Sequence, residues 1–267
     1  MEIIKSIFLG IVEGITEWLP ISSTGHMILV NELIDNTGFT GSDLFLYVIQ
    51  LGAILAVVTL YFHRLNPFSP KKSAEEKHDT WQMWFKVIAA CLPAAVIGLL
   101  FNDYMDKIEN WQVVSAMLIL YGIGFIAAES MHKKAKITSI SDLTYKTALA
   151  IGAFQVLSIV PGTSRSGATI LGAILIGCSR ETAAEFSFFL AIPVMFGVSF
   201  LKIVTYKDVM TGGDIAALIV GMAVAYAVSM LAIKFLMDFV KKHDFKAFGW
   251  YRTALGIAVI LFFTLIK

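Results

Sequence analysis

The chain has 267 residues, of which 57% are hydrophobic and 15% are charged. A typical soluble domain is about half apolar and a quarter charged, so this composition excludes an ordinary soluble protein and indicates a lipid environment. A net charge of +1 predicts no nucleic-acid partner. The two cysteines show no CxxC spacing and therefore no metal motif. The apolar N-terminus carries Glu13 and Glu17 without an A-x-A cleavage site, so we expect no removable signal peptide there.

Six apolar stretches are each long enough, with their edges included, to cross a bilayer, because a spanning helix needs about 20 apolar residues. The predicted spans are residues 44–62, 85–101, 113–128, 186–204, 215–236 and 251–266. The polar residues after the first span, 63–84, predict a solvated loop. The sequence therefore predicts an all-α polytopic membrane protein, with residues 1–267 forming a single membrane domain.

Two further apolar segments, 3–31 and 147–177, are interrupted by breaks rich in proline, serine and glycine. The first break begins at Pro20 and reads PISSTGH, and the second begins at Pro161 and reads PGTSRSG. Proline removes a backbone donor, and the residue before it favours extended backbone. Broken backbone at membrane depth is tolerated only where protein or a wet cavity satisfies its polar groups. We therefore predict two re-entrant helix–loop–helix hairpins.

The two hairpins resemble each other at a constant offset of 142 residues, which places Gly10–Leu29 over Gly152–Leu171. The offset aligns Gly10 with Gly152, Glu13 with Gln155, Ser22 with Ser164 and Gly25 with Gly167. Each copy would hold one hairpin and three spans, with the first at about residues 1–130 and the second at about 143–267. Since three spans is an odd number, the second copy must be upside down, which is the inverted-topology repeat found in many transporters.

The loops between the spans alternate in their content of lysine and arginine. Residues 63–86, 130–146 and 234–249 hold five, four and four, whereas residues 31–43, 102–110 and 205–214 hold none, one and one. Cytoplasmic loops are enriched in positive residues, so the first set is predicted to be cytoplasmic. Both termini and the first hairpin are then expected outside, with the active site facing the outer leaflet, and the second hairpin enters from the cytoplasm.

Two carboxylates lie in the first half-helix, and ionisable groups within membrane segments are functional candidates because their burial is costly. Glu13 and Glu17 are four residues apart, hence on one helical face. Their mutual repulsion predicts a divalent cation between them, and oxygen ligands suit Mg²⁺ or Ca²⁺. The alternative is that Glu13 is only a helix-end residue in contact with water.

The first break offers the hydroxyls of Ser22, Ser23 and Thr24, together with free backbone amides, at the start of a second half-helix. Such an end binds anions through its N–H groups and its dipole. Ordinary helix capping by Ser22 or Ser23 is the alternative interpretation. His26 could act as a general base or nucleophile, or it could be a hydrogen-bonding packing residue.

The second break places Arg165 among hydroxyl groups, and its planar guanidinium matches phosphate oxygens. The accompanying hydroxyls belong to Ser164, Ser166 and Thr169, which we predict to bind substrate. The alternative role of Arg165 is a structural ion pair with Glu13 or Glu17. If the two hairpin tips meet, the Ser23 hydroxyl and the Arg165 guanidinium should lie roughly 4–8 Å apart, a span set by two hydrogen bonds.

Four motifs carry a resemblance that extends over essentially the whole chain. They are EGITEWLPISSTGH (Glu13–His26), PGTSRSGAT (Pro161–Thr169), EFSFFLAIP (Glu185–Pro193) and AFGWYR (Ala247–Arg252). In these motifs the chain resembles the undecaprenyl-diphosphate phosphatases, also called bacitracin-resistance proteins. The resemblance implies an enzyme of the bacterial cell membrane that uses a divalent cation. It also implies the reaction, in which the polyprenyl lipid undecaprenyl diphosphate is converted to undecaprenyl phosphate and inorganic phosphate. This reaction recycles the lipid carrier for cell-wall synthesis. It implicates Glu13, Glu17, Ser22, Ser23, His26, Ser164, Arg165, Ser166 and Thr169.

The attacking group is left open by the sequence. We favour Ser23 as nucleophile with His26 as its base, while direct attack by His26 or by carboxylate-activated water are the alternatives. A transporter or lipid flippase is the rival function, because inverted repeats with broken helices are typical of transporters. A type-2 phosphatidic acid phosphatase is a weaker rival, since no histidine follows Arg165 at the distance that its motif requires. Assembly into a homo-oligomer is an open expectation.

Overall fold

The computed structural model describes residues 1–34, 38–108, 110–131 and 134–265, without the side chains of residues 102–107. Lys133 and Ile266, which belong to a predicted loop and a predicted span, lie outside the described residues. The described chain forms eleven α-helices and no strand, apart from one isolated bridge between Ile137 and Cys178. The helices are α1 Glu2–Thr16, α2 Ser23–Leu33, α3 Asp43–Leu60, α4 Phe62–Leu65, α5 Ala74–Ile108, α6 Trp111–Ser130, α7 Tyr145–Val156, α8 Arg165–Ile176, α9 Arg180–Thr205, α10 Gly212–Val240 and α11 Lys246–Leu265.

Six of the described helices, α3, α5, α6, α9, α10 and α11, are long and apolar enough to cross a membrane. Each of them overlaps one of the six predicted spans, so the prediction of an all-α protein with six helices able to cross a membrane is confirmed for the described residues. The prediction of a solvated loop at 63–84 was wrong over its second half, because α5 already begins at Ala74. The Ser73 hydroxyl accepts from the Glu76 N–H, and the Glu76 carboxylate accepts from the Ser73 N–H. This reciprocal capping box starts the helix well before its apolar part.

The two interrupted segments fold as pairs of short helices, α1–α2 and α7–α8, separated by breaks at 17–22 and 157–164. Each second helix begins at a serine N-cap with positive φ, and both Ser22 and Ser164 have a φ of 72°. The Ser22 hydroxyl accepts from the Gly25 N–H, and the Ser164 hydroxyl accepts from the Gly167 N–H. The two breaks are therefore built alike, at positions 142 residues apart.

Small residues bring α1 against α10. The Ser6 hydroxyl donates to the Ala217 carbonyl, and a Cβ added at Gly10 would lie 2.7 Å from the Gly221 carbonyl oxygen. Small side chains spaced four apart let two membrane helices approach closely. Because residue numbers rise together along this contact, α1 and α10 run parallel.

The second pair is packed in the same way, with α7 against α5. A Cβ at Gly152 would clash with the Ala90 carbonyl, and the Tyr145 hydroxyl donates to the Gln82 side chain at 2.7 Å. These contacts also run in the same direction along both helices. Thus α7 enters the protein from the end at which α5 begins.

Helices α3 and α9 pack antiparallel, with an ion pair at each end of the contact. Asp43 at the start of α3 accepts from Lys202 near the end of α9 at 2.7 Å. Glu185 near the start of α9 pairs with Arg64, just after α3 ends. The first half of α9, from Thr182 to Ile192, is buried throughout. A helix that is enclosed on all sides is central to a fold, and α9 packs against α8 of the second pair and, through Phe188, against Trp18 in the first break.

The contact of α3 with α10 predicts a steric sensitivity at one glycine. A Cβ at Gly52 would overlap the backbone carbonyl of Met222, whereas a Cβ at Gly98 in α5 would meet nothing within 4 Å. We expect Gly52→Ala to reduce stability by about 1–3 kcal/mol, because the two helices must move apart. Thermal unfolding in detergent, with Gly98→Ala as the matched control, measures the difference. Equal melting temperatures of the two variants would contradict the packing described.

Candidate active site

The tips of the two hairpins meet at the carboxylate of Glu17. The Ser23 hydroxyl donates to Glu17 Oε2 at 3.0 Å, and the Arg165 guanidinium donates through Nη2 to Glu17 Oε1 at 2.8 Å. The Glu17 carboxylate therefore lies between the Ser23 hydroxyl of the first hairpin and the Arg165 guanidinium of the second and binds both. The expected meeting of the hairpin tips is confirmed, and it joins residues 148 positions apart in the sequence.

Arg165 is held inside the protein on both of its terminal nitrogens. Nη1 donates to the Ser187 carbonyl at 2.8 Å, Nη2 donates to Glu17, and the guanidinium carbon lies 5.8 Å from the centre of the Trp18 ring. The side chains of Arg165 and Glu17 are 11% and 10% exposed. The ion pair considered as the alternative to phosphate binding is therefore present. Phosphate binding by Arg165 stays a prediction.

The other hydroxyls of the second hairpin are engaged within the protein. Ser166 lies within donating distance of the Glu17 and Leu19 carbonyls, at 3.1 and 3.3 Å. Thr169 lies 2.7 Å from the Ser187 hydroxyl and 2.9 Å from the Arg165 carbonyl. Both side chains hold the loop and the helices in place, and their predicted contact with substrate stays a prediction.

Glu13 lies one helical turn before Glu17 and is 2% exposed. Its Oε1 has no hydrogen-bond partner among the described residues, which is rare for a buried oxygen. No cluster of three or more potential metal-ligating side chains occurs in the described parts of the chain. Two carboxylates, one with a free oxygen, nevertheless fit Mg²⁺, which is usually held by one or two carboxylates together with water and phosphate oxygens. Ca²⁺ takes about six to eight oxygen ligands and would need more of them from water and substrate.

The serines of the first break have different environments. Ser22 is fully buried, and its hydroxyl caps α2 in the way the alternative interpretation predicted. Ser164 caps α8 in the same manner. Ser23 and Thr24 are half-buried at the start of α2. The positive φ of both caps is uncommon for a non-glycine residue and costs about 1–3 kcal/mol, and such backbone clusters at functional sites.

His26 uses both ring nitrogens away from Ser23. Nδ1 lies 2.7 Å from the Ser22 carbonyl, and Nε2 lies 2.7 Å from the Tyr251 hydroxyl, whose ring stacks on the imidazole. A carbonyl only accepts, so Nδ1 carries the proton and Nε2 accepts from the tyrosine. A Ser23–His26 pair would require the Ser23 hydroxyl to donate to the imidazole, but this hydroxyl donates to Glu17.

Sequence reasoning assigned no role to Tyr251 or Arg252, although both fall in the last quoted motif. Arg252 is fully buried, and its guanidinium reaches the loops of both hairpins. A charged residue next to the start of the predicted span 251–266 was the feature that could have identified it. Arg252 binds backbone carbonyls, and a sequence motif gives no information about which carbonyls lie near a side chain.

Comparison with known proteins identifies the family of this chain. The family model described as bacitracin resistance protein BacA matches residues 6–258. A protein of Enterococcus faecalis named undecaprenyl-diphosphatase is 61% identical over 265 residues, which cover 96% of this chain and 95% of that protein. Proteins with the same name from Acetivibrio thermocellus and Lactiplantibacillus plantarum are 57% and 56% identical, over the whole of this chain and 100% and 99% of theirs. The chain therefore belongs to the bacitracin resistance protein BacA family.

Proposed function

We propose that this protein is a membrane phosphatase that hydrolyses undecaprenyl diphosphate to undecaprenyl phosphate and inorganic phosphate. The observation that carries the proposal is the Glu17 carboxylate, which binds a hydroxyl from one hairpin and a guanidinium from the other. Three relatives that match nearly the full chain are named for this activity. The product is the lipid carrier of cell-wall precursors, so the activity would support bacitracin resistance.

The contact between Ser23 and Glu17 suggests how the reaction begins. The Ser23 oxygen attacks the terminal phosphorus while its proton passes to Glu17, and the bond to the bridging oxygen breaks to release undecaprenyl phosphate. Water then attacks the phosphoserine and releases inorganic phosphate. Ser23 is the first residue of α2, so the helix dipole and free N–H groups favour the negative charge of the phosphates. Attack by His26 or by water remains the alternative.

Two residues would hold the metal, and one would bind the phosphates. Glu13 and Glu17 would hold Mg²⁺ or Ca²⁺, which when bound neutralises charge on the phosphoryl oxygens. Arg165 would exchange its bond to Glu17 for substrate oxygens and orient the diphosphate through its fork of donors. Trp18, fully buried beneath the guanidinium, limits where that side chain can move.

The paired hairpins support an inverted repeat, in which each hairpin is re-entrant. The repeat-related helices α3 and α9 are antiparallel, and the matching serine caps at Ser22 and Ser164 have the same φ. Helix α1 begins beside the start of α10, and α7 beside the start of α5, which are ends predicted on opposite membrane faces. We propose that both termini lie outside the bacterial cell membrane and that the active site faces the outer leaflet.

A lipid flippase is the second candidate, and it is favoured by the meeting of two broken helices at the centre of such a repeat. Transport needs two compartments, whereas phosphate release does not. Activity of the purified protein in detergent therefore separates the two functions.

We expect the purified protein in detergent to release phosphate from undecaprenyl diphosphate, and Glu17→Gln to lower the rate at least about 100-fold, since the amide neither accepts the serine proton nor carries charge. Asp238→Asn is the control, because this side chain is 77% exposed at the end of α10. Near-normal turnover by Glu17→Gln would show that the Glu17 carboxylate takes no part in the reaction. No phosphate release by wild-type protein would refute the proposed function.

Removal of divalent cations tests the metal. We expect excess EDTA to abolish turnover, added Mg²⁺ or Ca²⁺ to restore it, and Glu13→Ala to raise the cation concentration needed for half-activity at least about tenfold, as expected for a lost charged ligand. The measurement is phosphate release across a cation titration. Full activity in excess EDTA would contradict the metal role of both carboxylates.

The nucleophile is tested by trapping. With a slowly hydrolysed substrate, wild-type protein should accumulate phosphate on Ser23, which mass spectrometry of the peptide detects. Ser23→Ala should carry no such label and should turn over at least about 100-fold more slowly, whereas Thr24→Ala should still be labelled on Ser23. Near-normal turnover by Ser23→Ala would instead favour His26 or water as the attacking group.

A further inference from the structure

We propose that Arg252 of α11 is a positioning residue that holds the loops of both hairpins in register for the reaction, an inference that rests on the proposed function. Its guanidinium lies between the two loops. Nη1 donates to the Pro20 carbonyl at 3.2 Å, and Nη2 is within donating distance of the Gly162 and Thr163 carbonyls at 3.0 and 2.9 Å. A weaker contact of 3.4 Å reaches the Met117 carbonyl of α6.

The loop carbonyls need such a donor. Pro20, Gly162 and Thr163 lie between helices, so no helical ladder supplies their hydrogen bonds, and an unpaired carbonyl at membrane depth is costly. Arginine suits the place because its planar fork carries several donors in fixed directions. Lysine offers one nitrogen, which cannot take the positions of both Nη1 and Nη2.

The surroundings of Arg252 are shaped to admit the guanidinium. The group stacks over the Tyr121 ring at 5.5 Å. A Cβ added at Gly167 would lie 2.9 Å from Nη1. Gly167 therefore leaves space for the arginine in the first turn of α8, which gives this glycine of the second motif a physical reason.

The held carbonyls stand directly before the reacting groups. Pro20 precedes Ser23 by three residues, and Thr163 precedes Arg165 by two. Fixing these carbonyls to one rigid cation sets the relative position of the Ser23 hydroxyl and the Arg165 guanidinium. A displacement of about 1 Å in such a site lowers the rate on the order of 100-fold. The neighbouring Tyr251 hydroxyl orients His26 from the same turn of α11.

Two variants and one control test the proposal in purified protein. Arg252→Lys and Arg252→Met remove the fork. Arg180→Met removes another arginine, whose hydrogen bonds among the described residues go to the buried Glu129. We expect both Arg252 variants to fold and to lower kcat about 10- to 100-fold, with KM changed much less. The control should lose stability and keep its kcat.

A second readout does not depend on activity. In Arg252→Lys, amide hydrogen exchange at residues 17–23 and 160–165 should become at least about tenfold faster, because the loops can then open without breaking the hydrogen bonds that Arg252 makes to their carbonyls. In Arg180→Met the exchange of these residues should stay at the wild-type rate. A third readout combines Arg252→Lys with Arg165→Lys. The double variant should lose less activity than the product of the single losses, since both changes disturb one arrangement.

Several outcomes would overturn the positioning role. The first is a wild-type kcat together with wild-type loop exchange in Arg252→Lys. The second is a loss of activity in the double variant that equals the product of the single losses. The third is failure of both Arg252 variants to fold, which would make Arg252 a determinant of folding alone. If wild-type protein released no phosphate, the proposed function would fail, and the exchange rates would still decide whether Arg252 holds the loops.

Discussion

The arrangement of this protein depends on one carboxylate that is shared between two chain segments. Glu17 accepts from Ser23 and from Arg165, and these bonds are made where the exposure of both charged side chains is about a tenth. Removing one partner of such a pair leaves a charge without compensation, which costs several kcal/mol. The half-helices therefore hold one another in place, and neither hairpin can be understood alone.

The first helix of each pair stops inside the protein and leaves backbone groups without helical partners. The structure satisfies such groups in three ways. Ser22 and Ser164 cap the second helix of each pair, and the Ser166 hydroxyl reaches carbonyls of the opposite loop. Arg252 donates to carbonyls of both loops, those of Pro20, Gly162 and Thr163. Each device is polar, and each lies beside a group proposed to act on phosphate. The requirement to satisfy the backbone and the requirement to bind an anion are thus met by the same small region.

Much of this could be predicted from the sequence, because composition, span length and the two Pro/Ser/Gly breaks report local chemistry. The apolar helices and the meeting of the two breaks, here at Glu17, were of this kind. The Ser23–His26 pair was not found, since the imidazole is turned toward Tyr251, a residue 225 positions away. Arg252 was missed because it binds backbone oxygens, and the early start of α5 was missed because its Ser73–Glu76 cap lies in a charged stretch.

The two serine caps with the same φ of 72° begin tips that are built alike but carry unlike charges. In the present chain one tip has Glu13 where the other has Gln155, and Arg165 occurs in the second tip while its counterpart is Ser23. The site therefore takes its carboxylates from one tip and its guanidinium from the other, so a single chain supplies the anionic and the cationic tip in a fixed one-to-one ratio.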